Sequence, residues 1–180
     1  MKNIRIPKYL QDLHGKKTSL LILILTYLSG LVTATVITCF IAKQININMW
    51  RLTLTFILIA DISGGIISNY SKSTRDYYSE NSKKHVIFIF LHILQPFLFL
   101  IIFPELSGFF LFMGIYAISC CLAIYKIEDN EYKRVISSFM FIIGIMIIFI
   151  FKIPIEIVKI IPILFFVKLI LAYSNGDEKK

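Results

Sequence analysis

Charge is scarce in this chain of 180 residues: Asp, Glu, Lys and Arg together make 17% of it, against about a quarter in ordinary soluble domains. With 57% of its residues apolar and a mean hydropathy of +0.78, it has too little polar surface to cover a water-soluble domain of this size. Glycine, proline and cysteine are few as well, at 8, 5 and 3 residues, which excludes collagen, low-complexity disorder and a disulfide scaffold. The chain contains no P-loop, no Rossmann glycine fingerprint and no Gly-x-Ser-x-Gly elbow, so it offers no nucleotide-driven or hydrolase-type motif. The absence of HExxH, CxxC and a His-rich box leaves only Asp61, His85 and His92 as a conceivable ligand set, and no metal site is expected. The motifs do not identify a cofactor, which stays unknown from the sequence.

What is abundant is long apolar runs. A hydrocarbon core of about 30 Å needs roughly 20 apolar helical residues. Six stretches answer to that: 19–42, 47–70, 86–103, 108–125, 135–151 and 153–173. The expected fold is therefore all-α, a polytopic integral membrane protein of about six transmembrane helices in one bundle. The last stretch is the least clean, carrying Pro154, Glu156, Lys159, Pro162 and Lys168. It could run as one full span or as a broken or re-entrant helix.

Positive residues mark the cytoplasmic side of a span. Segment 1–18, loops 71–85 and 126–134, and tail 174–180 carry fourteen Lys and Arg. The opposite side has three, Lys43, Arg51 and Lys152. Both termini are accordingly expected in the cytoplasm, with the bundle in a plasma membrane and the basic collar against anionic lipid headgroups. The formal charge of +8 is mostly this topology signal; no nucleic-acid partner is expected. A second copy or a partner subunit is compatible with the pattern. In segment 1–18, Pro7 can open and Gly15 close a short interfacial helix with Ile6, Leu10 and Leu13 on one face. The apolar run after it is too long for a cleavable signal.

One region is not lipid-facing helix. Asp61, Gly65, Ser68, Asn69 and Lys72 fall at i, i+4, i+7, i+8 and i+11, a single polar and small stripe. Lipid cannot satisfy such a stripe, so it must face protein or water. The third stretch carries His85, His92 and Gln95 before Pro96. At about 1.5 Å per residue, Asp61 lies roughly 13 Å in from Tyr70 and His92 roughly 10 Å in from His85. In an antiparallel hairpin the two should be level, and Pro96 removes the N–H that His92's carbonyl would accept. Asp61, Asn69, His85, His92 and Gln95 are thus the candidate substrate or ion pathway, with no catalytic residue identified. Loop residues Arg75, Tyr77 and Tyr78 are candidate contacts for a headgroup or anion.

Three functions remain open: a small-solute or ion transporter with a cytoplasm-facing polar cavity between the second and third spans; a lipid-modifying enzyme using the same residues; and an accessory subunit without its own chemistry. For the Asp61–His92 pair, the corresponding readings are a proton- or cation-responsive gate, an acid–base couple, and a satisfied interhelical hydrogen bond.

Overall fold

Ser19 opens the first long helix: its Oγ accepts from the Ile22 N–H at 3.3 Å, which caps one of the orphan donors there. Helix α2 then runs Leu20–Gln44 and α3 runs Met49–Tyr70. The computed structural model describes residues 3–79 and 82–173; the tail 174–180, expected to be cytoplasmic, lies outside them. Helix α4 is Lys72–Ser79, α5 Ser82–Leu91, α6 Leu94–Ile102, α7 Ser107–Tyr125 and α8 Asn130–Ile150. Asp129 caps α8, its Oδ1 accepting from the N–H groups of Glu131 and Tyr132 at 2.8 and 2.9 Å.

Among the described residues, α2, α3, α7 (with the turn from Pro104) and α8 are long and apolar enough to cross a membrane. The outer faces of α2 and α8 expose Leu28, Leu31 and Val32, and Phe139, Met146 and Phe149. An apolar exterior on this scale suits lipid rather than water.

The third and sixth expected spans are helical but interrupted. The third breaks at His92–Ile93 and resumes as α6, with Pro96 in the new first turn, where a missing N–H is tolerated. The sixth begins as a 3-10 turn at Glu156–Lys159, becomes α9 at Ile160–Phe166 with Pro162 again in the first turn, and ends as a π-helical stretch, Val167–Tyr173. This composite helix is the centre of the molecule. It packs on α3, α7 and α8, and Phe165, Phe166, Leu169 and Ile170 are fully buried. Its mixed composition follows from its place: a helix that touches protein on all sides has no need of a lipid-compatible face.

Helices α2 and α3 approach closely. A Cβ on Gly30 would stand 2.9 Å from the Ala60 carbonyl oxygen, and one on Gly64 would stand 3.0 Å from that of Thr26. Small residues on both helices make this contact, as expected of packing in lipid. Cys120 and Cys121 are buried within α7 and form no disulfide.

Two parts differ from the sequence reading. Segment 71–85, read as a loop, contains α4. The Ser71 hydroxyl accepts from the Thr74 N–H at 3.3 Å, and Lys72 pairs with Asp76 at 2.8 Å across one helical turn. The segment before α2 is more than one helix. Strand β1 (Asn3–Arg5) pairs antiparallel with β2 (Lys17–Ser19), enclosing a 3-10 turn at Lys8–Leu10 and α1 at Gln11–His14. This cap docks on the end of α3 and on α4. The Ser68 and Thr74 hydroxyls both donate to the Leu13 carbonyl.

His14 in this cap is buried, with its Nε2 2.9 Å from the Tyr27 hydroxyl on α2. Burial holds its pKa below the ordinary histidine value. The unfolded segment therefore takes up a proton at a pH where the docked one does not. Docking keeps its full strength above about pH 6.5 and loses it as the pH falls toward the lowered value. In a nuclear magnetic resonance titration, the His14 ring should titrate below the usual range, and the amide signals of residues 3–19 should broaden with it. A His14→Phe variant should not show that broadening.

Candidate ion-pair centre

The polar stripe on α3 faces the central helix and is organised around a lysine. Lys168 Nζ lies 2.8 Å from Asp61 Oδ2 and also donates to the Asp61 carbonyl at 3.3 Å. Four residues on, Gly65 makes room for the lysine: a Cβ there would collide with Lys168 Cε. Another four residues on, Asn69 Nδ2 donates to the Lys168 carbonyl at 3.3 Å. The i, i+4, i+8 arrangement thus holds the head, stem and backbone of a single residue on another helix. Lys168 belongs to the π-helical stretch, and such stretches recur at functional sites.

The pair is asymmetric. The Lys168 side chain is 4% exposed, while that of Asp61 is 47% exposed. Gln95 in α6 donates its Nε2 to the same Asp61 Oδ2. A carboxylate only accepts, so this contact fixes which end of the amide points there. It leaves the Gln95 Oε1 buried without a partner among the described residues. Asp61 Oδ2 takes both donors, and Asp61 Oδ1 accepts no hydrogen bond among the described residues.

The half-exposed Asp61 side chain borders a groove of about 300 Å³ between α2 and α3. Tyr27, Gly30 and Leu31 line it from α2, Phe56 and Asp61 from α3, and Leu13 of the docked cap closes one end. A cavity adjoining Asp61 thus lies between the first two long helices.

The direct partner of Asp61 is Lys168, which corrects the expected Asp61–His92 pair. His92 stands within electrostatic range of both charges, but its Nδ1 is 2.7 Å from the Phe88 carbonyl, one turn back on its own helix. The same carbonyl also accepts from the His92 backbone N–H at 3.4 Å. Of the remaining pathway candidates, Gln95 and Asn69 join the centre, whereas the side chain of His85 lies outside the described residues.

The three headgroup candidates are not together. Tyr77 donates its hydroxyl to Asp12 Oδ1 at 2.6 Å and Tyr78 to the Asp12 carbonyl at 2.8 Å, both rings being buried. Burial and the Asp12 charge push the Tyr78 phenol well above the ordinary tyrosine pKa. Arg75 donates to the Tyr70 carbonyl at 2.9 Å from a half-buried position. The tyrosines hold the cap, which leaves Arg75 as the group of the three accessible to an anion.

The signal for Lys168 was present in the sequence. The acidic residues of the six stretches are Asp61 and Glu156. Glu156 pairs with Lys159 at 2.9 Å, three residues on, which leaves Lys168 as the counter-charge for Asp61. Comparison with protein-family models, with curated proteins and with solved structures finds no match for this chain.

Proposed function

We propose that this chain is a six-span plasma-membrane protein, with both termini in the cytoplasm, that moves a small solute or ion through the Asp61 centre. The helices read as multi-pass, and the basic collar favours this orientation. The observation that carries the transport reading is the carboxylate itself: bound on one oxygen by a buried lysine, half-exposed, and bordering a groove. Intramembrane ionisable groups mark ion and proton pathways by default. A proton or cation taken up at Asp61 weakens its hold on Lys168, and the Lys168 ammonium and the incoming charge then compete for one carboxylate. Lys168 sits where the central helix is already widened by a π turn. Release of its side chain therefore acts directly on the element that α3, α7 and α8 surround.

Proteoliposomes carrying an internal pH-sensitive dye test this. Wild-type protein should dissipate an imposed proton or cation gradient faster than empty vesicles. Asp61→Asn, which keeps the shape and loses the charge, should remove about nine-tenths or more of that flux. Wild-type vesicles no leakier than empty ones, or an Asp61→Asn variant that conducts normally, would refute the reading.

A further inference from the structure

We infer that the groove between α2 and α3 is a binding site for a neutral lipid alcohol of the diacylglycerol kind, its hydroxyl donating to Asp61 Oδ1. Charge selects the class. Asp61 and Lys168 neutralise each other, and among the described residues no other side chain that is charged at neutral pH lines the groove. A cationic headgroup held beside the intact pair would add a net charge to a site of low dielectric, unlike an ion in transit that displaces Lys168 from Asp61, and a phosphate or carboxylate would meet the acid. A hydroxyl does neither. It supplies the donor that the open oxygen needs where lipid offers none.

Depth and size select further. Asp61 lies roughly 13 Å along α3 from Tyr70, below the level of a charged headgroup. A volume of about 300 Å³ holds about ten water-sized groups. That accommodates a glycerol head and its first methylenes but not two acyl chains. The chains would run out over the exposed outer face of α2, where Tyr27 and Leu31 border the groove and Leu28 and Val32 continue it. Leu13 from the docked cap forms the closed end over the head. The site shares Asp61 with the transport reading but does not depend on it, since occupancy is read without any flux.

The test uses the full chain in lipid nanodiscs with Trp50→Phe, which removes the native indole, and Leu31→Trp, which places one at the groove. Diacylglycerol with bromine-labelled chains should quench that indole saturably. Half-quenching should come at a mole fraction about ten-fold below that for phosphatidylcholine with the same chains, as expected for one hydrogen bond to a charged acceptor. Brominated fatty acid and brominated long-chain amine should match phosphatidylcholine. Adding Asp61→Leu together with Lys168→Met removes the acceptor and both charges at once, and should erase the preference for the alcohol. Equal quenching by alcohol and phosphatidylcholine would overturn the proposal, as would a preference for the amine. So would a preference for the alcohol that survives the double replacement.

Discussion

Asp61→Leu should destabilise the protein by about 3–5 kcal/mol, Lys168→Met by less than half as much, and the two together by little more than Lys168→Met alone. The asymmetry comes from exposure. Losing Asp61 leaves the ammonium of Lys168, 4% exposed, in a packed interior where, among the described residues, the backbone carbonyl of position 61 is its remaining acceptor. Losing Lys168 leaves a carboxylate that is 47% exposed, keeps Gln95 and borders the groove, so its solvation is partly retained. Removing both leaves no orphaned charge, and leucine and methionine fill similar volumes. Unfolding in mixed micelles by increasing denaturing detergent measures all three variants, and the cycle isolates the coupling. Equal losses for the two single variants would show that the differing burial of the partners has no energetic consequence. A double variant as unstable as the sum would show that the pair is not coupled at all.

The stripe that carries this argument was legible because helical periodicity is strict. Once Asp61, Gly65 and Asn69 fall on one face, something polar has to lie opposite. What lay opposite was harder to read. His92 answers to sequence proximity and matching depth, both properties of a simple hairpin. Lys168 is 107 residues away, on a helix whose π stretch shifts the phase of everything after it. No pattern of 3.6 residues could have put its side chain on the right face. Charge balance was the better guide, because the alternative is an unpaired ion in a low dielectric. The long apolar helices were plain in the hydropathy pattern. The order of burial was not, since a central helix looks like a poor span by composition alone. Helix α4 had its signals, a Ser71 cap and a Lys72–Asp76 pair at i, i+4, but they were outweighed by the density of polar residues. The strand pairing of Asn3–Arg5 with Lys17–Ser19 has no such signal. Three-residue strands carry too little alternation to be seen, and tertiary docking selects them.

Gly15→Ala should undock the cap as a unit while leaving the helical bundle folded. Gly15 ends α1 at φ 70° and ψ −173°, a region open essentially to glycine alone, so a side chain there costs about 1–3 kcal/mol in strain. Space is refused as well: the added Cβ would overlap the Ser73 carbonyl and hydroxyl. Since one of these is backbone in the first turn of α4, rotation of a side chain cannot relieve the collision. Neither α1 nor the strands can adjust freely, because Leu13 is held by Ser68 and Thr74, Asp12 by Tyr77 and Tyr78, and the Lys17 N–H by Ser73 Oγ at 3.3 Å. These contacts flank Gly15 on both sides, so moving it strains them together. Trypsin should then cut the variant rapidly at Lys16 or Lys17 while sparing the same bonds in the wild type. Gly15→Asn should fare no better. Asparagine tolerates the left-handed helical region, but a ψ near −173° lies outside it. Wild-type resistance in Gly15→Ala would mean that the turn reshapes at little cost and that the surrounding hydrogen bonds alone hold the cap. A cleaved cap with intact bundle unfolding would place the whole effect at this one turn, and would also strip Leu13 from the end of the groove.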